Sequence, residues 1–247
     1  MRGDRPGADD VVPEVVDLTA PGASAAVEPP SAMPPVDLVR HPARIVVGCG
    51  AAMVVLTLAV AREQPAVIDV DVALHGAVLA LRGPLDSALA LGVTWAGATY
   101  VALPALVLVG ALAPPGRRRG RERLGSGLLL AGAASIGIYA GLLVNHVVGR
   151  ARPPAEDWWG AAGGPAFPSG HTTVATVASL LAAWALAQRW PDRRRSLLVG
   201  AAAVAAAVGW SRVWLGVHWP GDVLGGWVFG TGWAVAVVAA LSWTRRR

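Results

Sequence analysis

The chain has 247 residues, of which 54% are apolar and only 15% charged. A soluble domain carries about 25% charged residues, so this balance excludes an ordinary water-soluble fold and makes the bilayer the solvent to reason with. The 21 basic residues are all Arg and the net charge is +5, but the arginines gather in short stretches between apolar runs, which is the footprint of membrane orientation and not of a nucleic-acid face.

In chain order, residues 1–40 come first. They are rich in Pro, Ala and acid (Asp4, Asp9, Asp10, Glu14, Asp17, then Pro29-Pro30 and Pro34-Pro35). No helical or strand period runs through them, so they read as a disordered cytoplasmic tail. They lack the basic start and apolar stretch of a signal peptide. Residues 41–247 read as one membrane domain, all-α, with six transmembrane helices. The expected spans are Ala43–Ala61, Ala88–Leu112, Leu124–Val148, His171–Gln188, Leu197–Leu215 and Val223–Trp243, each near the roughly 20 residues that cross a bilayer. Pro104 lies inside the second span, where a kink is tolerable if neighbours satisfy the freed carbonyl. Asp69–Leu81 predicts an amphipathic helix lying on the membrane surface. The pairs Gly137/Gly141, Gly221/Gly225 and Gly226/Gly230 have the spacing of tight helix contacts. The single Cys49 sits in an apolar run, which excludes an intrachain disulfide and a multi-cysteine metal site.

Arginine placement predicts the orientation. Arg40, Arg44, Arg117, Arg118, Arg119, Arg121, Arg123, Arg189, Arg193, Arg194, Arg195, Arg245, Arg246 and Arg247 fall on one side. Arg62, Arg82, Arg150, Arg152 and Arg212 fall on the other. The richer side is expected to be cytoplasmic. Both termini are then inside, which six spans allow. Trp158, Trp159, Trp214 and Trp219 are expected at the outer interface.

Three polar windows share that outer side. Pro168-Ser169-Gly170-His171 precedes an apolar run, with Ser169 as the expected N-cap. A helix start offers free N–H groups to an anion, Gly170 admits a phosphate close to the backbone, and His171 points to the same place. The bland alternative is a helix start with an interfacial His. In the second window, Arg212 ends the fifth span, Pro220-Gly221 break the chain, and Asp222 can cap the sixth. His218, four residues before Asp222, has the relation of a reactive base to its orienting carboxylate. The alternative is an Arg snorkelling to headgroups and an Asp that only caps. In the third window, Arg150 and Arg152 stand just beyond the third span. An Arg fork suits phosphate, although Arg150 reads more simply as a headgroup contact.

These windows resemble the signature of the type-2 phosphatidic acid phosphatase superfamily, whose soluble relatives include vanadium haloperoxidases and bacterial acid phosphatases. That pattern is a Lys, six residues, then Arg-Pro; next Pro-Ser-Gly-His; next Ser-Arg, five residues, His, three residues, Asp. Pro168–His171 and Ser211–Asp222 are complete. Arg152-Pro153 is kept, but Asn145 stands where the pattern has Lys. The resemblance covers about residues 43–243.

It implies a membrane phosphatase in which His218 attacks phosphorus, Asp222 orients it, and His171 protonates the leaving oxygen. Arg152, Ser169, Gly170, Arg212 and Asn145 would hold the phosphate oxygens. No metal or cofactor is implied. Asn145 removes one cation from the cradle, for which His146 or Arg150 is a conceivable substitute. The expected partners are a lipid phosphate or diphosphate (an isoprenoid diphosphate such as undecaprenyl diphosphate, or phosphatidic acid) and membrane lipids, with no nucleic acid; the oligomeric state is open. Two alternatives stand beside hydrolysis: phosphoryl transfer to an acceptor other than water, and a lipid-phosphate binder or transporter without chemistry.

Overall fold

The computed structural model describes residues 41–113 and 119–244. The tail reading for residues 1–40 lies outside them, as do Arg40, Arg117, Arg118 and the terminal arginines. Among the described residues the regular structure is entirely helical: α1 Pro42–Ala61, α2 Pro65–Leu81, α3 Pro84–Thr94, α4 Thr99–Leu112, α5 Gly120–Val148, α6 Gly170–Arg189, α7 Arg194–Trp214 and α8 Pro220–Thr244. Pro42, Pro65 and Pro84 each open a helix in its first turn, where a missing N–H costs no intrahelical bond.

Five helices are long and apolar enough to cross a membrane, and α3 with α4 makes a sixth span if that bent pair is counted as one. α6 is the hub. It packs against α4, α5, α7 and α8, and α1 lies along α8. Leu106, Leu130, Ala134, Val177, Leu181, Trp184 and Ala234 form the shared core. α6 and α8 come together where Gly226 and Gly230 face Thr172 and Thr176. A Cβ on Gly230 would lie 2.7 Å from that of Thr176. This bears out the small-residue reading of that pair.

Two expectations are corrected. The second span is not one continuous helix over Ala88–Leu112. It starts at Pro84 and bends by 54° between Gly97 and Thr99, and Pro104 lies inside an unbroken α4. The bend sits where a turn of 3-10 helix (Trp95–Gly97) meets the start of α6. Gly97 is pressed so close to α6 that a Cβ would lie 2.6 Å from the His171 carbonyl oxygen. The helix over Asp69–Leu81 does form, within the longer α2, but its polar side faces inward. Asp71 and His75 are buried, whereas Val70, Val72, Leu74 and Leu81 are exposed. An apolar solvent inverts the usual rule for which face of an amphipathic helix packs inside.

Candidate active site

α5 is 29 residues long, about 43 Å at 1.5 Å per residue. The Arg119–Arg123 end and the Arg150–Arg152 end are therefore separated by more than a bilayer core of about 30 Å. All three polar windows meet at the Arg150 end. The segment that carries the first is tied through the backbone to the other two: Ser169 donates its N–H to the Asp222 carbonyl at 3.0 Å, and Ala166 donates to the Arg150 carbonyl at 2.8 Å.

The meeting point is a cavity of about 590 Å³, whose polar wall includes Arg152, His171, Arg212, His218, Gly170 and Asn145. Tyr100, Ile138 and Leu142 line the same cavity and give it apolar surface. His218 is 1% exposed. Its Nδ1 lies 3.3 Å from Asp222 Oδ2, and its Nε2 lies 2.9 Å from Arg152 Nη1. Arg152 can only donate, so Nε2 is the acceptor and Nδ1 carries the proton toward Asp222. The lone pair of Nε2 therefore points toward the cationic wall. Burial pushes the His218 imidazole down to about 4; Asp222 opposes this, and Arg152 and Arg212 add to it. The ring is neutral at physiological pH, the form in which an imidazole nitrogen can act as a nucleophile or base.

Arg152 is a hub of a different kind. Its Nε donates to Gly164, Nη2 to Gly163 and Pro165, and Nη1 to Val217, all through backbone carbonyls. One side chain thus fastens residues 163–165 to the strand of chain that carries His218. Burial lowers its pKa, with Asp222 pulling the other way. Arg212 is 5% exposed; its Nη1 donates to Thr94 Oγ1 at 2.8 Å, and its buried Nε has no protein partner. Arg212 therefore brings a buried guanidinium to the cavity lining, a charge that suits an anion.

The other expected residues fall in several places. Ser169 is the residue before α6, but its hydroxyl makes no capping bond to the backbone. It is fully buried and accepts a hydrogen bond from Thr172 Oγ1. Asp222 sits at the third position of α8, accepting the Trp219 N–H at 2.9 Å, the reach-back of a capping box. Pro220 opens that helix and does not break it. Asn145 reaches the cavity wall, but its amide donates to Pro165 and Pro168 carbonyls at 3.0 and 3.2 Å. His146 also lines the cavity, its Nδ1 2.8 Å from the Leu142 carbonyl.

Arg150 corrects the headgroup reading. It is buried between two carboxylates, with Nη1 2.7 Å from Asp222 Oδ1 and Nη2 2.6 Å from Asp71 Oδ2. Asp71, His75, Thr94 and Asp157 were not singled out from sequence. For Asp71 and His75 a signal existed: two ionisable residues at i and i+4 in an otherwise apolar stretch.

Comparison with known proteins places this geometry in a family. The PAP2 superfamily model matches residues 124–246, from α5 through α8. The chain is 38% identical over 125 residues to a decaprenylphosphoryl-5-phosphoribose phosphatase of Mycolicibacterium smegmatis, covering 49% of this chain and 61% of that relative. It is 30% identical over 178 residues to phosphatidylglycerophosphatase B of Bacillus subtilis, covering 71% of this chain and 85% of that one. The crystal structure of a transmembrane PAP2 type phosphatidylglycerolphosphate phosphatase from Bacillus subtilis superposes with a TM-score of 0.73 at 26% identity, over 82% of this chain and 98% of that one. The matched relatives are phosphatases and the site sits on the matched helices, so the chain belongs to the PAP2 superfamily of phosphatases.

Proposed function

We propose that this chain hydrolyses the terminal phosphate of a membrane lipid phosphate or diphosphate through a phosphohistidine on His218. The observation that carries this is the placement of His218 Nε2, with Nδ1 turned to Asp222, on one cavity wall with Arg152, Arg212 and His171. In the first step Nε2 attacks phosphorus and the bond to the leaving oxygen breaks, while His171 gives that oxygen a proton. In the second step a water attacks phosphorus, His171 takes its proton, and the N–P electron pair returns to Nε2. Arg152 and Arg212 hold the charge that spreads over the phosphoryl oxygens, the main task in phosphoryl transfer. On binding, a phosphate oxygen takes over the Arg152 contact that Nε2 now accepts.

Two observations support a lipid substrate. The cavity pairs its cationic wall with the apolar side chains of Tyr100, Ile138 and Leu142, and the two relatives above carry lipid phosphates in their names. An isoprenoid diphosphate or phosphatidic acid type of substrate suits this wall. Arginine asymmetry supports a site on the outer face of the cytoplasmic membrane, with the Arg119–Arg123 end inside.

The test is phosphate release by the purified chain in detergent from a panel of lipid phosphates, with and without a metal chelator. His218→Ala should abolish turnover and leave no acid-labile phosphoenzyme; substantial activity in that variant sinks the assignment. His171→Ala should cost about 100- to 10,000-fold on lipid substrates and less on an activated aryl phosphate, whose leaving group needs no proton. Orientation is tested on cells with an impermeant thiol reagent, after Cys49→Ser, with single cysteines at Ala161 and Gly120. Labelling at Gly120 but not Ala161 inverts the topology.

A further inference from the structure

Behind the cavity runs a chain of charges that ends on a helix outside the PAP2 match. Asp222 gives its Oδ2 to His218 and to the Trp219 N–H, and its Oδ1 to Arg150. Arg150 gives its other terminal nitrogen to Asp71 on α2. The second Asp71 oxygen accepts the Gly221 N–H at 2.7 Å, one residue before Asp222. Asp71 thus grips both the side-chain partner and the backbone neighbour of the carboxylate that holds His218. The Arg150 guanidinium also lies 5.8 Å from the Trp219 ring. All three charged side chains are nearly closed to solvent, at 3%, 8% and 0% for Asp71, Arg150 and Asp222. Further along α2, His75 Nε2 lies 3.0 Å from Asp157 Oδ2, a second anchor for the same helix.

We propose that Asp71 is a positioning residue for the phosphatase reaction, acting through Arg150 to fix and charge-balance the Asp222 carboxylate. The argument is one of charge as well as geometry. Arg150 alone against Asp222 would cancel the negative charge that a phosphohistidine cation needs beside it. Asp71 makes the cluster two carboxylates to one guanidinium, so one negative charge remains for His218. Burial disfavours the charged form of Arg150, but Asp222 and Asp71 outweigh it and raise the pKa, keeping the guanidinium charged. Two bonds to Arg150 and Gly221 also stop the carboxylate end from rotating away from Nδ1. The proposal rests on His218 as the nucleophile.

The test uses the purified full chain in detergent, with kcat, KM, thermal midpoint and the rate of phosphoenzyme formation measured for each variant. Asp71→Asn should lower kcat and phosphoenzyme formation by about 10- to 100-fold, the range for loss of an orienting partner behind a histidine, with KM little changed. Asp71→Glu, which keeps the charge, should recover part of that loss. Arg150→Gln should cost at least as much as Asp71→Asn, and the double variant no more than Arg150→Gln alone. Unchanged kcat in Asp71→Asn overturns the proposal, as do equal losses in the Asn and Glu variants, multiplicative losses in the double variant, or a change confined to KM. A wild-type phosphoenzyme that persists in His218→Ala overturns the nucleophile assignment, and this proposal with it. A phosphoenzyme on His218 that forms at the wild-type rate in Asp71→Asn overturns the positioning role alone.

Discussion

Arg152 Nη1 and His218 Nε2 lie 2.9 Å apart, so in the proposed reaction the donor that would hold phosphate rests on the lone pair that would attack it. The same Nη1 also donates to the Val217 carbonyl at 2.7 Å, which keeps the guanidinium beside the nucleophile when the lone pair is needed elsewhere.

Arg152→Lys is therefore expected to be a poor replacement. A Lys ammonium offers one point of charge where the Arg fork reaches four carbonyls. Losing one charge-assisted bond of about 1.5–3 kcal/mol predicts a fall in kcat/KM of roughly 10- to 100-fold. Steady-state kinetics on a short-chain lipid phosphate measure it. A variant as active as wild type would mean that Arg152 serves the loop and not the phosphate.

The depressed pKa of His218 makes a direct spectroscopic prediction. The group is neutral above its folded value of about 4 and protonated below it, so its nucleophilic form is complete at neutral pH and is lost only in strong acid. In protein carrying nitrogen-15 histidine, the resonance removed by His218→Gln should titrate near pH 4. A midpoint at the ordinary value of about 6.5 would show that the ring is far better solvated than its burial indicates.

Asn145 holds two carbonyls of the segment that leads into α6. Asn145→Leu leaves the Pro168 carbonyl without this donor, while Pro165 retains Arg152. A buried acceptor left unpaired costs about 1–3 kcal/mol, visible as a lower thermal midpoint in detergent. Asn145→Lys tests the other role of this position. If its side chain also faces the phosphate, vanadate should inhibit more tightly, and an unchanged inhibition constant in a folded protein confines Asn145 to bracing the loop.

Gly230→Ala should separate α6 from α8, because the new methyl would meet Thr176 at 2.7 Å. Overpacking of this kind costs about 1–3 kcal/mol. The thermal midpoint should drop, with a smaller change in kcat, since Thr176 lies more than a turn beyond His171 on α6. An unaltered midpoint would mean that the two helices are not locked at this crossing.

How much of this was legible in the chain depends on distance along it. Ser169, Gly170 and His171, or Arg212, His218 and Asp222, stand in short windows, so spacing alone announces a site. Asp71 and Arg150 are 79 residues apart, and Arg212 and Thr94 are 118 apart. No local pattern pairs them, and Arg150 therefore read as a headgroup contact. Existence of the helices followed from apolar length. The bend at Gly97 did not, because it sits where the chain packs against the backbone of α6, a contact distant in sequence. Ser169 shows a subtler limit. Its place before α6 was right, but its hydroxyl accepts from the Thr172 side chain and caps no backbone N–H, a choice that spacing alone does not reveal.

The inverted face of α2 has a consequence for how the chain assembles. Neither Asp71 nor Arg150 is tolerable alone in an apolar medium, where a single ionised side chain costs several kcal/mol. Asp71 shares its carboxylate with Arg150 and with the Gly221 amide at the start of α8, so the seat of α2 is complete only where the end of α5 and the start of α8 lie side by side. The support behind the proposed nucleophile therefore draws on α2, on Arg150 beyond α5 and on α8 together, and a bundle without any one of them would lack it.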